Sequence, residues 1–172
     1  VHYSSSSVLI RSSCNVCGSV VPYPNEAGDH WVAPAGCHDE MRKPDYNIFV
    51  ADNSPWHTIS GGLPECDGYP EGSGIPSVSG IPVPGKAEGA VRGSCLCGAV
   101  TYHVTEPFKV AHKCHCHRCR YGRAAAHATN GFVSYDGLKY LSGEDRLKKY
   151  KVPDAIHFTQ VFCDECSSLM PR

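Results

Sequence analysis

Seven of the eleven cysteines lie in the second half of the chain, grouped as Cys95-x-Cys97, Cys114-x-Cys116-x-x-Cys119 and Cys163-x-x-Cys166. Thiols so close in sequence are poor disulfide partners for each other but can wrap one ion. The odd total points the same way, as does a start, VHYSSSSVLI, without the basic flank and apolar core of a secretory leader. Zinc in a reducing, cytoplasmic setting is the expectation, with disulfides the alternative.

The three clusters differ in what they leave open. Cys95 and Cys97 sit between Gly93 and Gly98, which give the backbone freedom to turn two sulfurs onto one centre. Cys163 and Cys166 can supply two more, and four thiolates about 2.3 Å from a zinc make a closed, structural site. A lone Cys-x-x-Cys reads as a redox pair instead. The middle cluster offers three thiols, Cys114, Cys116 and Cys119. A fourth position is then free for water or substrate, the mark of a catalytic zinc. Three thiolates already outweigh the ion's charge, which makes it a modest activator of water but a good holder of another thiol. The expected substrate therefore carries a thiol.

Around that cluster, His115 and His117 alternate with the cysteines and read as flanking groups rather than ligands. His112 and His127, like these two, could complete the zinc or flank it, and a histidine as fourth ligand would make the site structural. Cys37 and Cys66 stand alone and read as small buried apolar residues. Arg118, Arg120 and Arg123 crowd the same stretch and could pair with the carboxylates of an anionic ligand. A solvated basic face is the other reading of these arginines.

Short strands must carry these groups. With 17 Gly and 13 Pro in 172 residues, the chain breaks into brief apolar runs. Upstream these are 8–11, 20–23, 30–33 and 47–51; downstream they are 99–104, 108–112, 132–133, 138–141 and 158–162. One or two helical turns are expected at 118–126 and 144–149. A mainly β fold stapled by metal follows. No apolar run reaches the roughly 18 residues that cross a bilayer, so no membrane association is expected. The net charge of −1 argues against a nucleic-acid partner. It hides an imbalance: residues 1–90 carry 4 basic and 10 acidic side chains, residues 91–172 carry 12 and 7. The two halves should attract each other.

Residues 70–90, PEGSGIPSVSGIPVPGKAEG with its flank, read as an extended linker between a first segment, 1–69, and a second, 91–172. SSCNVCGSVVP (12–22) repeats as VFCDECSSLMP (161–171), matching Cys14 and Cys17 to Cys163 and Cys166.

GSCLCGAV, then CHCHRC, then LSGEDRLKKYKV leading to FCDEC, resembles the N-terminal and central part of the glutathione-dependent formaldehyde-activating enzyme and centromere protein V family. The first segment is similar to that family's C-terminal part through SSCNVCGS, the stretch with Ala35, Gly36 and Asp39, NIFVADNSPW with Pro55 and Trp56, and GLPECDGYP. The order is reversed. Either the halves form one circularly permuted domain, joined by a linker that spans about 65 Å when extended, or the chain carries the end of one tandem domain and the start of the next. In the tandem case two chains would exchange halves to complete a site, giving a homodimer.

The resemblance implies an Mss4-like, zinc-clamped β fold and carbon–sulfur lyase activity. It implies one structural zinc on Cys95, Cys97, Cys163 and Cys166, and one catalytic zinc on Cys114, Cys116 and Cys119. The family usually has Gly after the second knuckle cysteine; Gly18 keeps it and Ser167 replaces it, which leaves Cys14 and Cys17 as alternative partners of Cys95 and Cys97. Gly122-Arg123 departs from the family's small residue at that place. The implied reaction joins the thiol of glutathione, or a similar small thiol, to an aldehyde carbonyl, or runs the reverse elimination. Two other readings remain: a related zinc enzyme with another, natural-product substrate, or a non-catalytic zinc module that binds partners.

Overall fold

Frequent Gly and Pro keep every strand short. A computed structural model describes residues 1–6, 9–25, 27–75 and 91–172, and among these it shows strands of two to five residues and one α-helix of seven. The mainly β expectation holds. The expected linker 70–90 falls largely outside the described residues, as does Val8 of the expected strand 8–11.

The chain divides into two compact units, Val1–Asp39 with Val83–Arg172, and Glu40–Pro82. In the first, β1 (His2–Ser6) pairs antiparallel with β2 (Leu9–Ser12), and β3 (Tyr23–Pro24) with β4 (Trp31–Val32). The second unit holds β5 (Asn47–Ile48) parallel to β6 (Glu65–Cys66), with Phe49 against Tyr69 edge to face. The strand expected at 47–51 stops early because Phe49 is left-handed and a 3₁₀ turn, Val50–Asp52, follows.

Back in the first unit, β7 (Val91–Ser94) and β8 (Thr101–Val104) form a hairpin. β9 (Val110–Cys114) leads into α1 (His117–Arg123) and pairs with β10 (Ala128–Phe132). β11 (Leu138–Ser142) joins β8, and β12 (Leu147–Lys151) pairs with β13 (Thr159–Cys163) over five residues. The helix expected at 144–149 is a 3₁₀ turn, Glu144–Arg146, and then β12. The three-residue spacing of Leu147 and Tyr150 looks helical. On a strand it puts them on opposite faces, Leu147 on the thiol core and Tyr150 at a cavity. Helix α1 ends before the expected 126 because Ala124 turns left-handed and its N–H returns to the Arg120 and Tyr121 carbonyls.

The main buried cluster is built on sulfur: Cys95, Cys163 and Cys166 with Val100 and Met170, surrounded by Tyr3, Leu96, Tyr140 and Leu147. Residues 1–39 dock on residues 91–172 through hydrogen bonds rather than ion pairs among the described residues. Ser13 Oγ donates to Ser167 Oγ at 2.5 Å, and Gln160 Nε2 to the Cys17 carbonyl at 2.5 Å. The expected attraction between halves finds no ion pair across them among the described residues. Of the described acids in 1–90, only Asp29 and Asp39 lie in this docked part.

Gly36, in the 3₁₀ turn Ala35–Cys37, lies directly against the backbone of Ala124 and Ala125 at the end of α1. A methyl there has only backbone to displace. Gly36→Ala should cost about 1–3 kcal/mol, read as a fall in thermal midpoint; an unchanged midpoint would show that the first segment does not rest on α1.

Candidate active site and metal centres

The sequence clusters become two groups in space. The sulfurs of Cys95, Cys97, Cys163 and Cys166 lie within 4.8 Å of one another, as do those of Cys114, Cys116 and Cys119. Zinc–sulfur bonds of about 2.3 Å in a tetrahedron set sulfurs about 3.8 Å apart. The separations are 3.4 Å for Cys95–Cys97, 3.7 Å for Cys97–Cys163 and 3.6 Å for Cys114–Cys116. These are too long for disulfides, and every described cysteine is a free thiol. The donor sets fit zinc.

Local backbone bonding explains the four-thiol group. In the β7–β8 turn, Cys95 N–H donates to the Val100 carbonyl at 2.9 Å and Gly98 N–H to the Cys95 carbonyl at 3.1 Å, with Gly98 at φ +77°. Val100 N–H points at Cys95 Sγ, 3.2 Å away. At the end of β13, Ser167 N–H donates to the Cys163 carbonyl at 3.0 Å and Cys163 N–H to the Ser168 carbonyl at 3.0 Å. Leu96 N–H donates to Ser168 Oγ at 2.9 Å, tying the two loops together. Burial pushes the Cys97 and Cys163 thiols up. Burial also opposes ionisation of Cys166, but hydrogen bonds from the Ser168 hydroxyl and N–H and from the Cys97 N–H and thiol together bring that thiol down to about 7.

The three-thiol group is assembled by a strand-to-helix junction. Cys114 ends β9, Cys116 is the extended residue just before α1, and Cys119 lies in the first turn. Cys116 is exposed, and the approach of the Cys119 backbone N–H, then the Cys114 thiol, holds it below the usual thiol range. Burial and the two neighbouring thiols push Cys119 up to about 12. No histidine joins these sulfurs as a fourth ligand among the described residues. The His115 ring sits 5.1 Å from His127, His117 6.4 Å from Tyr121, and His112 stacks on Phe132 at 5.2 Å.

Beside α1 lies a cavity of about 560 Å³, bordered by His117, Arg118 and Tyr121 on the helix, Tyr150 and Phe158 on the β12–β13 hairpin, and Cys17 on the first segment. The three arginines have separate fates. Arg118 faces this cavity; Arg120 donates to the His38 carbonyl at 2.7 Å; Arg123 reaches Asn130 Oδ1 at 3.4 Å and borders a smaller cavity of about 70 Å³ together with Cys119.

Cys14 and Cys17 join neither thiol group; Cys95 and Cys97 take Cys163 and Cys166. The Cys17 and Val16 backbone N–H groups hold the Cys14 thiol down. Cys37 and Cys66 are half-buried rather than buried. Cys37 Sγ lies 3.9 Å from the Val20 carbonyl and 3.8 Å from that of Tyr121, and burial pushes its thiol up. Tyr121 Oη donates to Asp39 at 3.0 Å. Together with Arg120–His38, this fastens residues 38–39 to the helix that carries Cys119. Gly36 and Asp39 stood out in the sequence, but nothing there named their partners.

The two groups should respond differently to loss of a sulfur. Cys163→Ser is expected to abolish cooperative unfolding, because the core forms around that ion and structural zinc contributes on the order of 10 kcal/mol. Cys116→Ser should retain the native circular dichroism and lose one metal equivalent, measured by mass spectrometry. Unfolding of Cys116→Ser would mark its site as structural.

No curated protein and no solved structure matches the chain. A family model, glutathione-dependent formaldehyde-activating enzyme, matches residues 90–172. Both thiol groups and α1 lie within that match, so this stretch of the chain is similar to the glutathione-dependent formaldehyde-activating enzyme family.

Proposed function

We propose that the protein is a zinc-dependent carbon–sulfur lyase in which a small thiol, glutathione or a close analogue, and an aldehyde combine at Cys114, Cys116 and Cys119. The observation that carries this reading is a set of three sulfurs with no fourth protein ligand among the described residues, placed at the foot of the helix that borders a cavity of about 560 Å³. Zinc held by these sulfurs would have one open coordination position and would lower the pKa of a thiol bound there. The chain's own groups do the rest. Cys119 anchors the site from within α1, and Cys116 presents its sulfur to solvent. Arg118 offers a fixed positive charge to a carboxylate of the thiol substrate, and His117 lies on the same cavity wall. In the reaction the substrate sulfur bonds to the carbonyl carbon, the carbonyl π electrons move to oxygen, and the thiol's proton ends there as the hydroxyl of a hemithioacetal. Elimination reverses each step. Holding both reactants beside the three sulfurs would remove the entropy cost of their encounter.

Zinc-edge absorption during a glutathione titration tests this reading. One of the zincs should gain a sulfur neighbour, and formaldehyde exchange followed by NMR should speed up. Cys116→Ser should slow that exchange at least about 100-fold, and Arg118→Ala should weaken glutathione binding by about tenfold. Unchanged sulfur coordination at saturating thiol would instead favour the non-catalytic module.

A further inference from the structure

The Cys14–Cys17 loop has the bonding of a metal knuckle but no second pair of ligands. It reproduces the Cys163–Cys166 loop bond for bond. Gly18 N–H donates to the Cys14 carbonyl at 2.9 Å, as Ser167 N–H does to that of Cys163 at 3.0 Å. Cys14 N–H reaches the Ser19 carbonyl at 2.9 Å, as Cys163 N–H reaches that of Ser168 at 3.0 Å. The bridge Ser13↔Val20 matches Phe162↔Leu169. Cys17 Sγ lies 3.4 Å from Ser19 Oγ, and Cys166 Sγ 3.3 Å from Ser168 Oγ. Both loops close on a left-handed residue, Gly18 at φ +77° and Ser167 at φ +57°. In one loop this geometry ends in four converging sulfurs; in the other, among the described residues, it ends in two.

We infer that Cys14 and Cys17 are half of a third zinc site, completed across a two-fold axis by the same two cysteines of a second copy of this chain. Such an axis needs a patch that complements itself. The closed loop is unfit for that role, since its tip residues Asp164 and Glu165 are both acidic and are held by Arg146 at 2.9 and 3.1 Å. Two such tips would repel each other. The open loop has an uncharged tip, Asn15-Val16, with Val16 61% exposed. It can pack on its own image while four thiols lose their protons and bind one divalent ion, with no change of oxidation state. Both Cys-x-Cys pairs of the chain are engaged elsewhere, Cys95 and Cys97 with Cys163 and Cys166, and Cys114 and Cys116 with Cys119, so neither supplies the missing pair.

This inference uses other thiols than the lyase reading does, although Cys17 also borders the cavity that reading invokes. The test measures mass by light scattering and zinc by mass spectrometry on the full chain, zinc-loaded under a reducing agent. A dimer with about five zinc ions is expected, two per chain in its own groups and one shared. Cys14→Ser with Cys17→Ser should give a monomer that keeps about two zincs and its circular dichroism. Val16→Asp, which keeps both thiols, should weaken the dimer at least about tenfold by setting two charges together at the axis. The inference is overturned by a zinc-saturated monomer, by a monomer that holds a third zinc, or by a dimer that survives both variants.

Discussion

Four sulfurs from opposite ends of residues 91–172 must meet within one bond length of a common point, and most of the first unit is arranged to let them. Cys95 and Cys97 come from the β7–β8 turn, Cys163 and Cys166 from the end of β13, and Leu96 N–H to Ser168 Oγ locks one loop to the other. The side chains packed on them, Val100, Met170, Leu147 and Tyr140, make a small apolar shell. Phe162, Val100 and Cys163 are the largest side chains that are fully buried. Hydrocarbon burial at about 25 cal/mol per Å² is modest over so few groups, so a metal held by these sulfurs would be the main cross-link.

The three-thiol group obeys a different constraint. It hangs from one strand-to-helix junction, and its sulfurs range from half-buried to exposed. Its geometry is kept by what rests on α1: the Gly36 turn beneath its C-terminal end, the Arg120 and Tyr121 bonds to His38 and Asp39, and the β9–β10 pairing that fixes Cys114 against Ala128. The first segment, which carries no ligand of this group, therefore positions the helix that does. A site with fewer protein ligands and more supporting contacts suits exchange of a small molecule better than a closed four-thiolate centre.

The duplicated knuckle shows how one local structure can have two outcomes. Both copies use the same hydrogen bonds and the same left-handed closing residue. Ser167 accepts that conformation at a cost of about 1 kcal/mol, and its hydroxyl accepts the hydrogen bond from Ser13 Oγ. Gly18 has no such latitude: a Cβ there would lie 2.6 Å from the Phe162 ring. The repeat is a property of each loop, and whether it closes a metal site depends on which partner the rest of the fold delivers.

Cysteine spacing alone was enough to mark the three-thiol group and the Cys95–Cys97 pair as candidate ligands, because chelation by neighbours in sequence is a short-range geometric property. The same holds for the mainly β character, which follows from short apolar runs between Gly and Pro. Other features depended on neighbours distant in the chain. Leu147 and Tyr150 share a spacing that suits a helix, and only pairing with β13 made them the two faces of a strand. Arg118, Arg120 and Arg123 were equivalent as a charge cluster, yet contact with His38 and Asn130 engaged two of them and left Arg118 on the cavity wall. The choice between Cys14–Cys17 and Cys163–Cys166 as partners of Cys95 and Cys97 was open for the same reason. Two knuckles of equal local quality differ only in where the strands before them lie, and that is decided by packing between residues far apart along the chain.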